Sequence, residues 1–259
     1  MEENSPNIAF EQITVVEDPG WGVGWAVFAY IGFIVIQLAS GTLIGIFYSI
    51  FCMIEGRNIP MKVSDYPVIL IGVMIILSQI LSIVWVFYLV RVVHRLPFRR
   101  AISWDGGRAI AEWKPVVTGF ALVLLNAGFS AWFPPSKDLK VPLEEFTRST
   151  EGLVIFSFVA VFIAPISEEL TFRGYIFAPL QKRMGSVATI AVTAILFMTP
   201  HLWQLGEYRR GVIFIGLLGV ATGALRVYTG GVRAGVICHL IYNLCAVIME
   251  AMSRIAPNS

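Results

Sequence analysis

Charge-free apolar stretches alternate with short polar segments along most of this chain. Trp21 to Ile54 holds no charged residue, and neither does Tyr66 to Val90. Val116 to Phe133 is a third, shorter run. Leu153 to Ile166 runs directly into Ser167-Glu168-Glu169, and Val187 to Pro200 runs into His201. Gly211 to Leu225 and Val232 to Ile248 complete the series. A bilayer core about 30 Å thick needs roughly 20 apolar residues of helix to cross it. The pattern predicts an all-α, polytopic transmembrane helix bundle of about seven to eight helices. The first run is long enough for one tilted helix, or for a helix plus a re-entrant piece.

Composition agrees. Apolar residues make up 57% of the chain and charged residues 14%, against about 45–50% and about 25% in soluble domains. Mean hydropathy is +0.76. These values exclude a disordered tail and an ordinary soluble enzyme. The net charge of +2 offers no bulk field for a polyanion, so no nucleic-acid partner is expected. Cys52, Cys238 and Cys245 lie in apolar runs without a CxxC pair and read as buried free thiols.

Residues 1–20 are acidic and lack Lys and Arg, so they read as an exposed tail and not as a secretory signal. Arg91, Arg95, Arg99, Arg100, Arg108 and Lys114 lie between the second and third runs. The positive-inside tendency puts that segment in the cytoplasm, together with Arg173, Lys182, Arg183, Arg226 and Arg233. The mixed-charge loop Pro134 to Glu151 then falls outside. The expected organisation is a tail over 1–20, an accessory membrane section with a basic loop over 21–112, and a core over 113–259 holding every polar feature of interest. Short loops without an organelle-targeting segment suit a bacterial cytoplasmic membrane.

Charged groups at mid-bilayer are expensive and usually mark function. Glu169 and Arg173, four apart, share a helical face and are expected to pair, while Glu168 points about 100° away and is free to act elsewhere. His201 closes an apolar run after Pro200, a residue that breaks the helical ladder. His239 and Asn243 project from one face of the last run. Each cluster alone has a plainer reading: a membrane-edge ion pair, an interfacial histidine, or an Asn–His contact gluing two helices. The third histidine, His94, reads as a solvated residue of the basic loop. Together, the clusters supply what hydrolysis needs: a base for water, a second proton carrier, and donors for an oxyanion. No HExxH, GxSxG or P-loop offers another chemistry. Gly216 to Gly231 reads as tight helix packing ending in a turn at Gly230-Gly231.

These residues resemble a known family. Glu168-Glu169-(x3)-Arg173, Phe197-(x3)-His201 and His239-(x3)-Asn243, in that order on successive spans, look like the CAAX protease and bacteriocin-processing (CPBP, or Abi) membrane proteins. That family includes the type II CAAX prenyl endopeptidases, and the resemblance covers roughly residues 150–246. It implies a mostly helical intramembrane protease whose site opens toward the cytosol. The implied substrate is a peptide or a membrane-anchored protein, prenylated or not. By this resemblance Glu168 is the general base, acting on water together with His201. His239 and Asn243 form the oxyanion hole, and Glu169, Arg173 and Phe197 support the site. Glu168, His201 and His239 could in principle ligate zinc, but the resemblance favours a metal-free, glutamate-dependent site with no cofactor. The alternatives are a non-enzymatic protein that binds membrane partners or confers bacteriocin immunity, and a small proton-coupled transporter. No repeat symmetry supports the transporter.

Overall fold

A computed structural model describes residues 19–62, 65–106, 113–133, 146–205 and 209–255. Most of the expected tail over 1–20, the loop over 134–145 and Arg108 lie outside the described residues. The described residues are all-α. Helix α1 spans Val23–Ile54 and is one continuous helix, so the first run holds no re-entrant piece. Helix α2 spans Val68–Tyr88 and continues as a π-helical turn over Leu89–Val93. Helix α3 is a single turn, Phe98–Ala101, and α4 spans Trp113–Trp132. Then comes a helical path from Thr150 to Leu205 that is broken and reversed at Gly185, whose φ of 77° ends one helix and starts the next. We call its two arms α5 (residues 150–184) and α6 (residues 186–205). Helix α7 spans Arg209–Thr229 and α8 spans Arg233–Ile255.

Among the described residues six apolar helical stretches are long enough to cross a membrane, and the reversal at Gly185 splits the longest into two passes. The distribution of side chains is that of a multi-pass membrane protein. Val27, Ile31, Val35, Leu124 and Val154 face outward, whereas Ser167, Glu168, Glu169, Thr171, Arg173, Thr193 and His239 are buried. A bilayer removes the penalty on exposed apolar groups and raises the penalty on exposed polar ones.

Small residues set the close helix contacts. A Cβ on Gly219 would lie 3.1 Å from Ala194 Cα, and one on Gly216 would lie 2.6 Å from Met198 Sδ, so α7 packs tightly on α6. Likewise Gly119 of α4 meets the Cys238 carbonyl of α8, and Gly72 of α2 meets Ile155 of α5. At one end of the bundle the loop after α3 locks onto the α7–α8 turn. Val232 N–H donates to Ser103 O and Arg233 N–H to Trp104 O, both at 3.0 Å. The centre of the bundle is α5, where every residue from Leu170 to Ile176 is buried.

His94 is not the solvated residue expected from the basic loop. It caps the π turn of α2, and its Nε2 lies 2.7 Å from the Tyr175 hydroxyl of α5. The Trp21 ring stacks on Tyr175 with centroids 4.5 Å apart and on His94 at 5.1 Å. The loop doubles back over α5 because these rings bury one another. Burial lowers the His94 pKa below its ordinary value.

Two outcomes follow. Gly106 has a φ of +75°, and a Cβ there would meet Thr229 O at 2.5 Å. Gly106→Ala should therefore destabilise the protein by more than about 1 kcal/mol in detergent unfolding, while Gly128→Ala, with open space around its Cβ, should not. As pH falls below about 6.5 the unfolded chain takes up a proton that folded His94 resists, so stability is lost in that window. Thermal melts between pH 7.5 and 5.5 should show a smaller acid loss for His94→Gln than for the wild type.

Candidate active site

The site is built on α5. Ser149 caps its start, accepting from Gly152 N–H at 3.0 Å, with Glu151 in the first turn. Two π-helical turns, Val159–Ile163 and Leu170–Ile176, flank the short α-helical piece Ala164–Glu169 that carries the glutamates. Such widened turns concentrate at functional sites because they re-aim side chains and free carbonyls.

Glu169 and Arg173 are fully buried and paired, with Arg173 Nη1 donating to Glu169 Oε1 at 3.0 Å. Arg173 Nη2 donates to Gly219 O on α7 at 2.7 Å, and its guanidinium lies 4.8 Å from the centre of the Phe197 ring. His239 of α8 joins the pair, its Nδ1 lying 3.1 Å from Glu169 Oε1. A carboxylate oxygen accepts, so Nδ1 carries the proton and the opposite nitrogen is turned elsewhere. That nitrogen, Nε2, faces Glu168 Oε2 at 3.8 Å, beyond direct hydrogen-bond range. Glu168 is 8% exposed and so keeps a small opening. The geometry links Arg173, Glu169, His239 and Glu168 in sequence.

Phe197 is the apolar wedge between the histidines. Its ring centroid lies 5.2 Å from that of His201 and 5.7 Å from that of His239. Pro200 does not end the helix; it lies inside α6, which continues to Leu205. A proline removes the donor for the carbonyl four residues back. The Leu196 carbonyl instead accepts from the Thr199 hydroxyl at 2.8 Å and from the Tyr30 hydroxyl of α1 at 3.4 Å. One turn on, His201 Nδ1–H donates to Phe197 O at 2.8 Å, which leaves Nε2 as its basic nitrogen.

Asn243 has a specific role in the structure. The first π turn has Ala164 N–H donating to Val159 O, and the same register would require Pro165 to donate to Ala160 O, which proline cannot do. Asn243 Nδ2 takes that carbonyl at 2.7 Å and so ties α8 to α5. Arg226 of α7 acts similarly on the second π turn, its Nε donating to Arg173 O at 3.1 Å.

Sequence reasoning missed several residues here. Ser167 donates to Gln79 of α2 at 2.6 Å, Tyr30 comes from α1, and Arg226 is buried behind Arg173. Gly235 leaves room for Glu169, since a Cβ there would lie 2.9 Å from Oε2. A lone amide in the charge-free run 66–90 was the visible sign of Gln79.

The matched segment of the chain is the one that carries these motifs. Residues 150–245 match the family model described as type II CAAX prenyl endopeptidase Rce1-like. This segment is similar to that family. The match takes in Glu168, Glu169, Arg173, Phe197, His201, His239 and Asn243. No curated protein and no solved structure matches the chain. Among the described residues no three His, Cys, Asp or Glu side chains converge to hold a metal ion.

Removing one partner of a buried ion pair strands the other charge, at a cost of about 3–5 kcal/mol. Glu169→Ala should show a loss of that size in detergent unfolding. The exposed pair Arg99–Asp105, at 2.9 Å, should lose less than about 1 kcal/mol in Arg99→Ala.

Proposed function

We propose that this protein is an intramembrane endopeptidase that uses a Glu168-activated water to hydrolyse a peptide bond near the cytosolic membrane face. The observation that carries the reading is the linked series Arg173, Glu169, His239 and Glu168, lying within the family-matched segment. Arg173 and Glu169 form a buried pair that orients the His239 ring. In its protonated form His239 presents Nε2–H to a developing oxyanion. Glu168 lies beside it, with no charged partner closer than 3.8 Å among the described residues, and takes a proton from water.

The attack forms a bond from the water oxygen to the scissile carbonyl carbon. The proton goes to Glu168, and the oxyanion faces His239. Collapse breaks the C–N bond, and Glu168 or His201 returns a proton to the leaving amine. Asn243 keeps one amide N–H beyond the one spent on Ala160 O, and that second donor serves the oxyanion. The basic segment Arg91 to Lys114 supports placing this end of the bundle in the cytosol. Substrates are peptides or membrane-anchored proteins, with C-terminal CAAX-type processing as the leading class and a bacterial cytoplasmic membrane as the setting.

The test compares wild type with Glu168→Ala on farnesylated and unlipidated fluorogenic CAAX peptides in proteoliposomes. Wild type should cleave, and the variant should lose at least about 10²-fold in rate with its melting temperature unchanged. A chelator should leave the wild-type rate unaltered. Equal rates in both proteins would refute the assignment.

A further inference from the structure

Helix α2 lies outside the matched segment, yet it brings a buried carboxamide to the glutamates. Its inward stripe is Gly72, Gln79, Ser82 and Val86, all buried. Gly72 packs on Ile155 of α5, and Gln79 sits two turns further along, against Ser167. Gln79 is 7% exposed, and its Oε1 accepts from the Ser167 hydroxyl at 2.6 Å. In this arrangement the oxygen end of the amide meets Ser167. The acceptor is used and both Nε2–H donors remain.

No described residue accepts from Gln79 Nε2. The fully enclosed polar atoms without a partner are Asn126 Oδ1, Glu169 Oε2 and Arg173 Nε among the described residues, so the Gln79 nitrogen keeps accessible surface. Gln79 belongs to the inward stripe of α2, and its amide lies against Ser167, the residue preceding Glu168. A desolvated N–H pair needs an acceptor. If Gln79 were only a link between helices, its donors would be expected to find a carbonyl on a neighbouring helix, as Asn243 and Arg226 do.

We propose that Gln79 is a substrate-binding residue whose free carboxamide N–H takes a main-chain carbonyl of the peptide held beside Glu168. The inference rests on the protease reading and adds an element of the binding site drawn from the N-terminal helices. Ser167 acts through it as a positioning residue, holding the amide so that nitrogen faces the substrate.

The experiment uses the full chain in proteoliposomes with the same CAAX peptides. Gln79→Met keeps the side-chain length and removes the donors. Ser167→Ala keeps the donors and frees the amide. Expected for Gln79→Met is about a tenfold fall in kcat/KM, of the size of one lost hydrogen bond, with an unchanged melting temperature. Peptide binding to Glu168→Gln should weaken by the same factor when Gln79→Met is added. Ser167→Ala should lose less. A Gln79→Met protein within twofold of wild type in both cleavage and binding overturns the proposal, as does a loss that tracks a lowered melting temperature. A wild type that shows no Glu168-dependent cleavage refutes the protease reading instead.

Discussion

A guanidinium and a carboxylate, both fully buried, lie in the middle of a helix bundle whose surroundings are hydrocarbon. Neither charge is tolerable there alone. The rest of the bundle seals the pair and supplies partners to Glu169 Oε1 and to both terminal nitrogens of Arg173, while Glu169 Oε2 and Arg173 Nε are enclosed without one among the described residues. Gly219 on α7 lends its carbonyl to Arg173, and Phe197 on α6 presents its ring face to the cation. His239 on α8 adds a donor to Glu169, and Gly235 leaves space for the carboxylate. The glycines of α7 matter for the same reason. They let α6 and α7 approach closely enough for a backbone carbonyl to reach a side chain of α5.

Backbone irregularities recur around this pair, and a side chain from elsewhere completes each one. Pro165 leaves Ala160 O to Asn243, and Pro200 leaves Leu196 O to Thr199 and Tyr30. The second π turn gives Arg173 O to Arg226. In water such carbonyls would simply be hydrated. In a bilayer each must find a protein donor, so every defect becomes a tie between two helices. These ties fix how α1, α7 and α8 stand around the glutamates.

The two adjacent glutamates, divided by one step of the helix, meet different surroundings. Glu169 is tied on one oxygen to Arg173 and His239, which suits a group that orients the imidazole. Glu168 keeps a small opening. The same imidazole faces both, at 3.1 Å from Glu169 and 3.8 Å from Glu168.

Hydropathy along the chain was enough to read the helices, because a span must be apolar over a length that only the bilayer sets. The Glu169–Arg173 pair was legible from its spacing, since residues four apart share a face whatever surrounds them. Gly216 to Gly231 was legible as close packing because only small residues let helices approach. The contact of His239 with Glu169, the use of Asn243 to cap Ala160 O, and the arrival of Gln79, Tyr30 and Arg226 were not legible. They join residues tens of positions apart, and no periodicity encodes which helices become neighbours. His94 shows the limit most clearly. Its basic neighbours suggested solvent, and only the folding of Trp21 back onto Tyr175 made it part of a buried stack. The sequence determined which side chains are too costly to leave in lipid, and the tertiary structure decided which partners satisfy them.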